Sequence, residues 1–185
     1  MNKALDLGPD GLIIPSVKTL EEADAIVSAS RYPYDLGTRG VAYPFIRASK
    51  WGLDRNYPKE YRRRTQLLVQ LEDSQGLANA SGILGCEGID GVFIGPLDLS
   101  SSLGRPGDVK HPEVRQAIGA IESAARANDK VLASFALPGT NVWSMFDDRG
   151  YQMVATGVDL GLLKEAARGQ VQAATVAPLY GPGHE

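Results

Sequence analysis

The chain has 185 residues and 19.8 kDa, enough to bury a core without disulfide staples, and its 43% hydrophobic and 22% charged residues are those of a globular protein. Nineteen Lys and Arg stand against 22 Asp and Glu, a net charge of −3, which lacks the positive excess of a nucleic-acid-binding surface. The single cysteine, Cys86, excludes an internal disulfide framework and any multi-cysteine zinc site.

No stretch approaches the ~18 uninterrupted apolar residues of a membrane span. The opening run Met1-Asn2-Lys3-Ala4-Leu5-Asp6 has neither a long apolar segment nor a small-residue cleavage site. The expectation is a cytoplasmic protein without membrane or nucleic-acid partners.

Short apolar runs alternate with amphipathic ones. Gly11-Leu12-Ile13-Ile14-Pro15 reads as a buried strand, too short for a helix and apolar on both faces. Thr19-Leu20-Glu21-Glu22 is a capping box that opens a helix running to about Ala29. Gly40-Val41-Ala42 reads as a short second strand. A long connection follows, and Pro58 suits the first position of a helix over 58–65. Leu67–Leu71 is the third strand, with a helix from Ser74, and Ile89–Ile94 is the fourth, leading into a turn of helix at 96–103. His111-Pro112-Glu113 opens a helix whose apolar positions Val114, Ala117, Ile118, Ile121 and Ala125 keep the helical period. Val131–Phe135 and Tyr151–Ala155 are the last strands, with helices over 140–149 and 159–172. Residues 1–175 form one α/β domain, and 176–185, rich in Pro and Gly, form a mobile tail.

Such alternation implies a parallel sheet covered by helices. Counting alone favours an open sheet, because a β/α barrel needs eight units. In either case the chemistry lies beyond the carboxyl ends of the strands. There the third strand ends in Gln70-Leu71-Glu72-Asp73, with Gln70 and Glu72 on one side, and the fourth in Gly95-Pro96-Leu97-Asp98. Glu72 and Asp98 read either as helix caps and surface ion pairs or as two ligands of a hard cation that keeps several waters. Free amides around Leu97 and Asp98 can hold an anion. The other candidates have plainer readings. Arg62-Arg63-Arg64 is a solvated helix face, a phosphate or partner role being the lesser alternative, His111 caps its helix, His184 lies in the tail, and Cys86 is a small packing residue or an inert surface thiol. Arg47, Ser49 and Trp51 sit in the long connection as functional candidates, with Trp51 alternatively covering the end of the sheet. Nothing matches a nucleophilic triad, a P-loop or a dinucleotide fingerprint.

At these strand ends the sequence resembles the HpcH/HpaI aldolase family of metal-dependent class II pyruvate aldolases. The matching segments are Leu5-Asp6-Leu7-Gly8, Ile14-Pro15-Ser16-Val17, Arg39-Gly40-Val41, Arg47–Trp51, Val69–Gly76 and Gly88–Ser100. Gly104, Gly107-Asp108, His111–Val114 and Gly157-Val158-Asp159 also fit. The resemblance implies a TIM-type (β/α) barrel that lacks its first two units, six being present. It implies carbon–carbon cleavage or formation in 4-hydroxy-2-oxo acids through a pyruvate enolate stabilised by a divalent ion, Mg²⁺, Mn²⁺ or Co²⁺. Glu72 and Asp98 would be the metal ligands. Gln70 would stand beside the 2-oxo acid, and the amides of Leu97 and Asp98 would hold its carboxylate, an aldehyde being the second substrate.

Asp6 resembles the family aspartate that pairs with a catalytic histidine in the assembled oligomer. That histidine and a substrate-binding arginine would lie upstream of the match, which leaves Asp6 without a partner in the chain and opens a second reading, a protein that binds metal and 2-oxo acid with little catalysis. Tyr43-Pro44-Phe45 stands where the family has smaller residues and would reshape the aldehyde pocket. An opened barrel would expose strand edges and apolar interior, so a homo-oligomer is expected.

Overall fold

A computed structural model describes residues 1–137 and 139–176. Residues 177–185, which include most of the expected tail and His184, lie outside the described residues. Five parallel strands, β1 (Gly11–Ile14), β2 (Gln66–Leu71), β3 (Gly91–Ile94), β4 (Val131–Phe135) and β5 (Met153–Ala155), form one sheet in the order β1-β2-β3-β4-β5. The helices are α1 (Asn2–Asp6), α2 (Leu20–Ser30), α3 (Tyr57–Arg64), α4 (Ser74–Ala78), α5 (Ala80–Gly85), α6 (Pro96–Ser102), α7 (Pro112–Ala127), α8 (Val142–Asp147) and α9 (Asp159–Val176).

Strand order distinguishes the two architectures that composition left open. A doubly wound sheet reverses direction at a switch point. Here every strand pairs with its sequence neighbours, so the chain winds one way throughout, as in part of a barrel. The two faces agree with this. Val69, Leu71, Val92, Ile94 and Leu132 pack with helix residues such as Val27, Ile83, Leu84, Ile121 and Ala125 in the main core. The opposite face carries a smaller cluster of strand residues only, Leu68, Phe93 and Ala133 with Val131, Phe135 and Ala155. That is the alternation of a barrel wall, helices outside and side chains alone inside.

The expected strand at Gly40–Ala42 is not formed, so five strands replace the six predicted and fill five of a barrel's eight places. β1 pairs directly with β2 instead, Ile14 lying opposite Val69. Between them the chain makes an excursion of three short 3-10 turns, Pro33–Asp35, Tyr43–Phe45 and Arg47–Ser49. What holds this excursion is side-chain packing: Tyr32, Ile46, Tyr57 and Tyr61 form their own buried cluster. Arg39 stacks over the Tyr32 ring, 4.7 Å from its centre. Ser49 is buried and donates to the Ile46 carbonyl while accepting from the Gly52 amide, so its role is to tie a turn. Trp51 does not cover the sheet end; it is exposed.

Local signals fared better. Thr19 and Glu22 form the full capping box of α2. His111 caps α7, its Nδ1 accepting from the Glu113 amide at 3.3 Å. Arg62, Arg63 and Arg64 are exposed on α3, and Arg64 pairs with Asp54 and Glu60, both at 2.6 Å. Cys86 is a packing residue: burial, and then its bond to Asp24, push its thiol up to about 11. Among the described residues no helix is long and apolar enough to cross a membrane.

Candidate active site

The carboxyl edge of the sheet gathers residues from three successive strands. Gln70 and Glu72 leave β2 on the same side, as their spacing requires, and Gln70 Nε2 donates to Glu72 Oε2. The other carboxylate oxygen, Oε1, accepts from both the amide and the hydroxyl of Ser16, at 2.9 and 2.7 Å. Ser16 lies just past β1 with φ +57°, a left-handed conformation that is uncommon for a serine. The two bonds to Glu72 offset that strain, which is the usual setting for such a residue near a site. Sequence reasoning missed Ser16, because nothing local reveals that its turn will face a carboxylate 56 residues away.

β3 supplies the remaining wall. Its register sets Leu71 beside Ile94, so Gly95 comes level with Glu72, and the Gly95 amide donates to the Leu71 carbonyl at 3.1 Å. A Cβ at Gly95 would fall 2.8 Å from Glu72 Cβ, 2.9 Å from Glu72 Oε2 and 3.1 Å from Gln70 Nε2. The glycine is therefore required for space, its φ of −94° being open to any residue. Gly95→Ala is expected to displace the Glu72 carboxylate, lowering Mn²⁺ affinity by about 10–100-fold, the range seen when a ligand loses its support. Calorimetric Mn²⁺ titration checks this, beside a thermal melt whose midpoint should fall as the bonds from Ser16 and Gln70 to Glu72 are disturbed.

Pro96 opens α6 at its first position, where no amide is needed, and Asp98 lies exposed in that first turn with Leu97. Glu72, Gln70, Leu97 and Asp98 thus share one end of adjacent strands. Asp6 does not join them. It accepts from Arg39 Nη2 at 2.9 Å, and so has a partner within the chain after all. Arg39 and Leu5 lie beside Thr65 and Asp90, which precede β2 and β3, towards the opposite edge of the sheet.

The donor set suits a hard cation. Glu72 has about four lone-pair positions and spends three on Ser16 and Gln70, leaving one towards Oε2. Among the described residues no group of three or more His, Cys, Asp or Glu is gathered as in an all-protein metal cage. Two carboxylates with the other places left to water and substrate oxygens is the arrangement Mg²⁺ favours.

Comparison with known proteins places the chain as a whole. The family model for HpcH/HpaI aldolase/citrate lyase matches residues 1–175. The chain is 44% identical over 166 residues to a 2-keto-3-deoxy-L-rhamnonate aldolase of Salmonella dublin, covering 90% of this chain and 61% of that protein. It therefore spans less than two thirds of the curated relatives it matches. Among solved structures, an HpcH/HpaI aldolase/citrate lyase family protein from Burkholderia cenocepacia J2315 superimposes with a TM-score of 0.82 at 30% identity, over 94% of this chain and 68% of that one. An HpcH/HpaI aldolase from Desulfitobacterium hafniense DCB-2 does so with a TM-score of 0.80 at 26% identity, over 98% of this chain and 70% of that one.

Proposed function

The chain belongs to the HpcH/HpaI aldolase/citrate lyase family, and we propose that it serves as a metal-dependent carbon–carbon lyase acting on 4-hydroxy-2-oxo acids, with a pyruvate-like 2-oxo acid and an aldehyde as the small-molecule partners. The observation that carries this reading is the Glu72 carboxylate, fixed by Ser16 and Gln70 at the carboxyl edge of the sheet, beside a glycine that leaves it room. In this reading Glu72 and Asp98 hold a divalent ion, Mg²⁺, Mn²⁺ or Co²⁺. When bound, the ion supplies a Lewis acid that polarises the keto carbonyl and offsets the negative charge developing as the carbon–carbon bond breaks.

The chain's own residues bind and orient. Ser16 and Gln70 hold the Glu72 carboxylate in one position, so no reorganisation is needed when substrate arrives. Gln70 stands where it can also meet a keto oxygen. The amides of Leu97 and Asp98, at the start of α6, have no carbonyl of a preceding helical turn to donate to and would donate to the substrate carboxylate. Asp6 enters the chemistry only through the assembled protein, since within the chain it is committed to Arg39. Phe45 and Trp51 are exposed in an excursion that is tied through Arg47 to Leu7, ahead of β1, so within the chain they lie away from Glu72 and would meet an aldehyde only at the site of another copy in the assembled protein. A reducing, cytoplasmic setting suits the unpaired thiol of Cys86.

The test is restoration after chelation. Protein stripped with a chelator and then supplied with Mn²⁺, Co²⁺ or Mg²⁺ should release pyruvate from a 4-hydroxy-2-oxo acid. Folded protein that binds pyruvate with Mn²⁺ but releases none would replace the lyase with a binding protein. Protein that binds neither would remove both readings.

A further inference from the structure

The strongest feature outside the carboxyl edge is a cavity at the opposite, amino-terminal edge of the sheet. It is about 100 Å³ and is lined by Arg31, Arg39 and Arg62, with Ser30, Thr65 and Asp90 among the other polar residues. Each arginine comes from a different element: the end of α2, the excursion after it, and α3. The volume is several times the ~10–15 Å³ that one ordered water needs. It is the size of a small oxyanion, not of a metabolite with a long carbon chain.

Arg39 is the informative residue. It is 3% exposed, and its Nε finds no hydrogen-bond partner among the described residues. Its Nη2 bonds Asp6 at 2.9 Å and the Tyr57 hydroxyl at 3.2 Å. A buried guanidinium N–H without a partner is costly, and native structures rarely leave one so. Arg31 is brought in deliberately. Its Nη2 donates to the Glu87 carbonyl at 3.1 Å, and a Cβ at Gly88 would fall 2.5 Å from that nitrogen. Gly88, at φ +105°, is thus needed both for its backbone and to let the guanidinium lie against the chain. Arg62 closes the mouth, held by Asp35 at 3.2 Å and by the exposed Glu87 at 3.7 Å.

The facing acids are already engaged. Asp6 pairs with Arg39 and Asp35 with Arg62, and Asp35 also accepts from the Tyr61 hydroxyl at 2.5 Å. Asp90 accepts from the Leu67 amide at 2.7 Å. Glu87, 90% exposed at its side chain, contributes only weak, solvent-screened pairs to Arg31 and Arg62. Three guanidinium groups, each with five N–H donors, therefore keep donors in reserve around one small space.

We propose that this cavity is a binding site for a small tetrahedral oxyanion of the phosphate class, held by Arg31, Arg39 and Arg62. Each guanidinium already faces one carboxylate, Glu87, Asp6 or Asp35, so what recommends a phosphate over a carboxylate is its number of oxygens, each of which can take a charge-assisted bond from the N–H donors in reserve. The site lies at the far edge of the sheet from Glu72 and meets the lyase reading only at Asp6, which Arg39 holds.

Inorganic phosphate titrated into the full chain at low salt, followed by calorimetry, tests it. Saturable binding to one site is expected. Arg31→Gln and Arg62→Gln, both nearer the surface than Arg39, should each weaken it by about tenfold or more, the effect of losing one charge-assisted bond. Glu72→Gln should leave it unchanged, and acetate should compete poorly. Absence of saturable heat with folded protein overturns the proposal. So does binding that survives both arginine variants, or that is lost in Glu72→Gln, which would place the phosphate at the other edge. Acetate competing as well as phosphate would overturn the phosphate assignment. Circular dichroism of the variants establishes that they are folded.

Discussion

Glu72→Ala and Asp98→Ala should each reduce metal-dependent release of pyruvate to background, a loss on the order of 10³-fold or more, since a Lewis acid worth several kcal/mol goes with the ligand. The two variants should differ in their effect on the protein. Asp98 is exposed in the first turn of α6, and its removal should cost little stability beyond about 0.3–1 kcal/mol of helix-terminus interaction. Glu72 is partly buried, and its loss strips the partners from Ser16 and Gln70. Ser16 would then keep its left-handed backbone without the bonds that offset it, so a destabilisation of about 1–3 kcal/mol is expected.

Glu72→Gln separates chemistry from structure. The side chain is isosteric, its carbonyl oxygen can still accept from Ser16, and Gln70 can turn its amide to present oxygen to the new NH₂. Stability should be nearly preserved while Mn²⁺ affinity falls steeply. Calorimetric Mn²⁺ titration and a thermal melt, made on the same preparations as the pyruvate assay, give the three readings. Wild-type Mn²⁺ affinity in Glu72→Gln or Asp98→Ala would remove that carboxylate from the metal site.

What was legible in the sequence follows the range of the interactions. The capping box at Thr19 and Glu22, the His111 cap and the β4 limits are decided within a few residues, and they appear as read. The contact of Gln70 with Glu72 was legible too, because period-two alternation places the two on one side. The excursion between α2 and α3 was not. Gly40-Val41-Ala42 has a strand's composition, but Val41 is exposed and no strand lies beside it. Its path is set by the tyrosine cluster and by Arg39 reaching Tyr57 and Asp6, 18 and 33 residues away. α1 escaped notice because five residues carry too little periodicity to register. Ser16 belongs to the same class: its bonds to Glu72 exist only once β1 has found β2.

In solution the chain should associate, with light scattering after size exclusion giving a mass well above 19.8 kDa. The fold leaves apolar surface and strand edges uncovered. β1 and β5 are the outer strands of the sheet, and each presents unpaired amides and carbonyls to one side. Ile13 on β1 and Met153 on β5 are more than a third exposed. On α9 Leu160, Leu163 and Val171, spaced at three and eight residues, form one apolar stripe, and they are 74%, 67% and 68% exposed. A stripe of that kind on an eighteen-residue helix is the mark of a face that packs on something. Burying about 100 Å² of apolar surface per leucine at ~25 cal/mol/Å² gives about 2–3 kcal/mol for each, enough to drive assembly when two copies contribute. Leu160→Lys with Leu163→Lys should therefore lower the assembled mass without lowering the melting temperature of the β2–β4 core, whose contacts do not involve α9. A monodisperse monomer of the wild-type chain would show that these edges and this stripe are tolerated in water. An unchanged mass in the double variant would place the association on the sheet edges instead, and charged substitutions at Ile13 and Met153 would then be the ones that dissociate it.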